Sequence, residues 1–108
     1  MEQTFTLGSV AWGAIDFGTA YEKAGQSVYL DRMMRHGLDW LIKAHPEPST
    51  LYVQIGSAAV DNNYWGGDQA IPNPRQSYVI NSTAPGTDAA ASAAAAFAAS
   101  SKIGRAHV

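Results

Sequence analysis

The side chains able to do acid–base chemistry are scattered and form no local catalytic group. The carboxylates are Glu2, Asp16, Glu22, Asp31, Asp39, Glu47, Asp61, Asp68 and Asp88, and no motif makes any two of them an acid and a base. His36, His45 and His107 stand apart, without the spacing of a metal-binding HExxH helix. Neither a Walker loop nor a Gly-rich dinucleotide fingerprint is present. With no cysteines, disulfides and thiolate metal sites do not arise. One cluster differs: Asp61, Asn62, Asn63, Tyr64 and Trp65, followed by Gly66 and Gly67. A sugar presents a flat patch of C–H bonds ringed by hydroxyls. An aromatic ring stacks on that patch, and Asn or Asp side chains take the hydroxyls. Trp65, Tyr64, Asn62 and Asp61 supply both contacts, and the two glycines let backbone approach a ligand. The same Tyr-Trp pair can instead plug the core. Arg75, between Pro74 and Gln76, has the fork to clamp this region through a carboxylate or backbone carbonyls.

The elements carrying the cluster read as follows. From Met1 to Ala24, Leu7, Val10, Ala11, Ala14, Phe17 and Tyr21 recur at helical intervals, which predicts one helix. Gly8, Gly13 and Gly18 thin its surface for a close neighbour, and Gly25 is placed to end it in the left-handed conformation. A second helix is predicted over Ser27 to Ala44, capped by Ser27, striped by Leu30, Met33, Met34, Leu38 and Leu41, and stopped by Pro46. Asp31 and Arg35 are spaced for an exposed ion pair. Asp16, Glu22, Asp31 and Asp39 read as solvated helix charges, and Trp12 and Trp40 as core or inter-helix packing. The two helices make an antiparallel hairpin. Leu51 to Gly56 alternates, with Leu51, Val53 and Ile55 on one side, as a short strand does. Ser57 to Pro85 shows no helical period and is expected to be a long functional loop. A third helix opens near Thr87, its cap, and Asp88, which suits the dipole's positive end. Its alanines, interrupted by Phe97, suit a helix clamped at short range between neighbours.

Composition narrows the classes. The chain of 108 residues has room for one small domain, and 46% hydrophobic with 15% charged residues excludes a disordered charged tail. A net charge of -2 with dispersed basic residues points to no nucleic-acid partner. No apolar run approaches the roughly 20 residues of a membrane span, so no membrane partner is expected. Met1, Glu2 and Gln3 do not begin a signal peptide.

The order of motifs is itself informative. AWGAIDF (Ala11 to Phe17), AYEKAGQ (Ala20 to Gln26), DWLIKAHPEP (Asp39 to Pro48), LYVQIG (Leu51 to Gly56), DNNYWG (Asp61 to Gly66), RQSYVI (Arg75 to Ile80) and PGTDAAASAAAAFAAS (Pro85 to Ser100) resemble the family 9 glycoside hydrolases in order and spacing. The resemblance implies an all-α fold: part of an (α/α)6 six-hairpin barrel, with about three helices plus the long aromatic loop. It implies an endo-β-1,4-glucanase acting with inversion, in which one carboxyl protonates the leaving oxygen and another activates water. Its partner is a β-1,4-glucan or cello-oligosaccharide, and the full enzyme is secreted. The family's base lies in a DAGD-type motif upstream and its acid is a glutamate far downstream. Neither motif is in this chain, so no catalytic residue is assigned and the isolated chain is expected to be inactive. No cofactor is implied here, although the full domain has room for calcium.

Tyr64 and Trp65 match aromatic positions of the family, with Trp65 the first choice for a sugar platform. Asn62 replaces a usual histidine, Gly67 to Ile71 replaces a common RPEDM stretch, and Ser92 replaces a glutamate. A non-catalytic helical carbohydrate-binding module using Tyr64 and Trp65 is the competing reading. A terpene cyclase is a third helical barrel, but its aspartate-rich motifs are missing. The resemblance spans residues 1–101, the partial catalytic domain, with Met1 expected to be an internal methionine. Residues 102–108, Lys102 to Val108, are expected to be a non-native tail from adapter read-through, since ATC GGA AGA GCA CAC GTC encodes Ile103 to Val108 and spells a common sequencing adapter. The alternative is a frayed helix end capped by Gly104. Large apolar faces are expected to leave the isolated chain molten or aggregating.

Overall fold

A computed structural model describes residues 2–106. The helical period of the first segment is present but interrupted. Helix α1 spans Glu2–Asp16 and a separate short helix, α2, spans Gly18–Lys23. Phe17 breaks them apart with φ -123° and ψ 28°, a departure made easier by the low helix propensity of Gly18 behind it. The single helix expected here is therefore two. Helix α2 closes as foreseen: Gly25 takes φ +66°, Gln26 N–H donates to the Tyr21 carbonyl at 2.9 Å and Gly25 N–H to that of Glu22 at 3.0 Å. That pair of bonds is a Schellman closure.

Helix α3 spans Ser27–Ala44. Ser27 is not its cap. The Schellman turn delivers Gln26 already near helical geometry, so the Gln26 carbonyl accepts the first bond, from Leu30 N–H at 3.0 Å. Leu30, Met34 and Leu41 are buried, whereas Met33 points outward and Leu38 is half-buried. Asp31 and Arg35 form the expected exposed pair at 2.9 Å. Asp31 raises the Arg35 pKa above its ordinary value, mainly through that hydrogen bond.

Strand β1, Leu51–Ile55, pairs antiparallel with β2, Ser77–Ile80, through Leu51–Ile80, Tyr52–Val79, Gln54–Tyr78 and Ile55–Ser77. A bulge between Tyr52 and Gln54 breaks the strict alternation. Ile55, expected on the apolar side with Leu51 and Val53, is consequently 54% exposed. At the end of α3 the His45 ring nitrogen Nδ1 donates to the Thr50 carbonyl at 2.8 Å, fastening the turn into β1.

The stretch expected to be an irregular loop is partly ordered. It holds helix α4, Ala58–Asn63, a 3-10 turn at Asp68–Ala70, and β2. Asn81 then folds back, its Oδ1 accepting from the N–H groups of Thr83 and Ala84 at 3.0 and 2.9 Å. Helix α5 spans Thr87–Ala106. Its first carbonyl acceptor is Gly86, bonded by Ala90 N–H at 3.0 Å, so Thr87 is the first helical residue and not the cap. The helix runs on through Lys102 and Gly104, and Ile103 packs partly buried against the core. Gly104 is therefore inside the helix. The expectations on Met1, His107 and Val108 lie outside the described residues.

The core forms where α1, α3 and α5 meet. Leu7, Ala11 and Ala14 face Ala93 and Ala96, with Leu30, Met34 and Leu41 from α3 and Trp40 and Phe97 packed around them. Ala11 and Ala96 are fully buried, so the alanines of α5 do clamp at short range, as helix packing with small side chains allows. Of the glycines expected to admit a neighbour, Gly8 lies against α5, where a Cβ would stand 4.0 Å from the Ala96 Cα, and Gly13 and Gly18 have open space. The close approach is instead at Gly37, where a Cβ would stand 2.4 Å from Leu7 Cδ2. Thr4 and Ser92 add a hydroxyl–hydroxyl hydrogen bond of 2.8 Å between α1 and α5. The result is a slab of 44 × 37 × 18 Å.

Trp12 is not core. It is 68% exposed and donates from its indole nitrogen to Asp16 Oδ2 at 3.0 Å. Ala11 and Ala14 take the inward face, and Trp12 stands about 100° around the helix from Ala11. Phe17, also expected on the apolar face, is 66% exposed because the backbone break turns it away. With Phe5 and Ala95 they line an open groove of about 780 Å³ between α1 and α5.

Candidate functional site

The candidate residues sit on α4 and the turn behind it. Ser57 enters in extended geometry, and its carbonyl accepts from Asp61 N–H at 2.9 Å to close the first turn. Asn63 folds back, Nδ2 donating to the Ala59 carbonyl at 2.8 Å. Tyr64 then leaves the helix with φ -94° and ψ 125°. Its hydroxyl donates to the Gly67 carbonyl at 2.8 Å, closing a short loop around Trp65. A Cβ on Gly66 would stand 2.6 Å from the Tyr64 hydroxyl oxygen, so this glycine admits the tyrosine. Trp65 is 100% exposed, and Asn62 is exposed on the same helix end. Trp65 is thus no plug over the core, whereas Tyr64 is half-buried.

Asp61 is engaged by Arg75. Both guanidinium Nη atoms meet both carboxylate oxygens, with Nη2 to Oδ2 at 2.9 Å. This is the clamp that the position of Arg75 suggested, in its bidentate form. The hydrogen bonds hold the Asp61 carboxyl below the usual carboxylate range, and the same contacts raise Arg75. Behind the guanidinium lies Gly56, at φ +89°, where a Cβ would fall 2.1 Å from Arg75 Nη2. Gly56 N–H also donates to the Gln76 carbonyl at 2.6 Å, so the residue next to Arg75 is tied to the end of β1. Gly56 was missed in the sequence. A glycine directly after an alternating strand and before a new helical turn was the available signal.

The site therefore offers one flat, wholly exposed indole, a neighbouring amide, and an ion pair that spans the loop. It holds no acid and base pair. Among the described residues no three His, Asp or Glu side chains converge on a point that could hold a metal ion. A largely apolar hollow of about 490 Å³, lined among others by His45, Leu51, Ile80, Gly86 and Phe97, contains none of the four predicted binding residues. Among the described residues no helix is long and apolar enough to cross a membrane.

Comparison with known proteins bears on this arrangement. The sequence model of glycosyl hydrolase family 9 matches residues 1–107. Endoglucanase B of Cellulomonas fimi is 40% identical over 99 residues, 92% of this chain and 10% of that protein. Endoglucanase 20 of Oryza sativa subsp. japonica is 39% identical over 95 residues, 88% of this chain and 18% of that protein. Among solved structures, the endoglucanase of the termite Nasutitermes takasagoensis at pH 2.5 superposes with a TM-score of 0.89 at 34% identity, covering 94% of this chain and 24% of that one. The cellulase Cel9M of C. cellulolyticum in complex with cellobiose superposes with a TM-score of 0.83 at 23% identity, covering 89% and 22%, a likeness of fold. The chain thus spans between a tenth and a quarter of the proteins it matches. The expected architecture, a mainly helical part of an (α/α)6 barrel, is that of these structures.

Proposed function

Because this chain belongs to glycosyl hydrolase family 9, we propose that it is a segment of a secreted endo-β-1,4-glucanase and carries part of the cellulose-binding cleft. The observation that carries the reading is Trp65, an indole held wholly in solvent at the tip of a braced loop. An exposed apolar face of that size gains nothing from folding, and stacking on the C–H face of a glucose unit would cover it. Endoglucanase relatives from a bacterium and a plant and the cellobiose complex of a structural neighbour support β-1,4-glucan as the ligand class.

Asn62 is placed to take a sugar hydroxyl, whereas Asp61 and Tyr64 act through the loop. Inverting hydrolysis needs an acid and a base on opposite faces of the sugar. None of the nine carboxylates stands in a motif that carries the family's acid or base, and Asp61, Asp31 and Asp16 are engaged by Arg75, Arg35 and the Trp12 indole. The chain alone is expected to bind but not to cleave. The functional test is titration of the purified chain with cellotetraose, followed by carboxymethylcellulose turnover. Saturable binding that is lost in Trp65→Ala, with no turnover, is expected. Turnover abolished by an active-site ligand would overturn the assignment of chemistry to other parts of the enzyme.

A further inference from the structure

We infer that Arg75 and Tyr64 are positioning residues for Trp65, and that Asp61 serves as the anchor of this device instead of as a sugar ligand. The inference rests on the reading of Trp65 as the sugar platform.

The argument starts from Trp65 itself. Its side chain is completely exposed, so packing does not orient it, and its direction is set by the backbone on either side. The preceding helix α4 has six residues, too short to be stable alone. Two fasteners hold this segment. On one side the Tyr64 hydroxyl reaches across Trp65 and Gly66 to the Gly67 carbonyl at 2.8 Å. On the other, the Arg75 fork grips both oxygens of Asp61 in the last turn of α4. Arg75 is in turn fixed to the β-hairpin, because the adjacent Gln76 carbonyl accepts from Gly56 N–H. Gly56 supplies the missing side chain that lets the guanidinium lie there. A continuous connection therefore runs from the hairpin through Arg75 and Asp61 into α4, and through Tyr64 around the indole.

A planar, bidentate fork fixes orientation as well as distance, which a lysine in its place would not do. With the loop ordered beforehand, less conformational freedom is lost when a sugar binds. Asp61 next to an aromatic reads from sequence as a hydroxyl acceptor, but each of its oxygens already accepts from Arg75, which fixes the carboxylate as the anchor of this clamp.

The test uses a chimera in which residues 2–106 replace the matched part of the termite endoglucanase. In it, nitrogen relaxation of the Trp65 indole and of the amides of residues 58–67 is compared among wild type, Arg75→Gln, Asp61→Asn, the double variant and Tyr64→Phe. Each single variant is expected to lose order over that stretch alone, with the amides of α1 and α5 unmoved and the double variant no worse than either clamp single. In the chimera, Arg75→Gln and Tyr64→Phe should raise KM for soluble cello-oligosaccharides about tenfold with kcat unchanged. Unchanged order at Trp65, or equal loss throughout the fold, overturns the inference. So does a chimera in which Trp65→Ala raises KM but Arg75→Gln and Tyr64→Phe do not. If Trp65 order depends on Arg75 while Trp65→Ala leaves KM unchanged, the clamp stands and the sugar reading fails.

Discussion

Placing alanine at Gly56 perturbs the base of the aromatic loop in two separable ways. The backbone there holds φ +89°, where a Cβ costs about 1–2 kcal/mol. Independently, the new methyl would stand 2.1 Å from Arg75 Nη2, 2.7 Å from its Cζ and 2.8 Å from Asp61 Oδ2, so the guanidinium must swing out and release the carboxylate. The backbone part alone, at a urea slope of about 2 kcal/mol per molar, lowers the denaturation midpoint by about 0.5–1 M. The larger steric part, against the guanidinium, adds to this only while Arg75 is present. Urea melts of Gly56→Ala, Arg75→Ala and the double variant separate the two: the alanine at 56 should cost more beside Arg75 than beside Ala. Equal losses in both backgrounds would mean that Arg75 does not lie against Gly56. No loss in either would refute the positive φ as well.

Three further outcomes follow from the same geometry. Asp61 has its folded pKa lowered by Arg75, so its contribution to loop order is fully present above the ordinary carboxylate value of about 3.9 and is lost as pH falls below that through the lowered value. Asp61→Asn should remove this acid transition, and a carboxyl carbon titration monitors it. Leu41→Ala, at a side chain 1% exposed, should cost about 2–5 kcal/mol in the same urea assay. Trp12→Ala should stay within about 0.5 kcal/mol of wild type, because the indole projects into an open groove; a loss the size of that for Leu41 would restore Trp12 to the core.

Much of the framework was legible because its signals are local. Gly25 followed the last periodic residue and closes α2, the stripe of Leu30, Met34 and Leu41 marked α3, and the alternation from Leu51 marked β1. Arg75 read correctly as a clamp because a guanidinium fork directly after a proline-rich turn is suited to gripping a carboxylate. The misses share a physical cause. Helix α4 is too short to display a period. Strand β2, despite Tyr78, Val79 and Ile80, is recognisable only beside its partner β1. Ser27 and Thr87 have the chemistry of caps, but the preceding turns had already supplied a helical carbonyl at Gln26 and Gly86. The importance of Gly37 depends on Leu7, thirty positions earlier. At the site, sequence identified which residues cluster but not which of them are spent on one another.

The bond from Thr4 to Ser92 joins residues 88 positions apart, and the α1–α5 seam it belongs to is the main contact surface of the first helix. That seam imposes a waiting time. At a synthesis rate of about 5–20 residues per second, α1 emerges roughly 4–18 seconds before the alanines that cover it. Among the described residues made in that interval, α3 gives Leu7, Ala11 and Ala14 a weaker contact than α5 does. Within this segment, the helix made last of the three is therefore the one that completes the packing of α1.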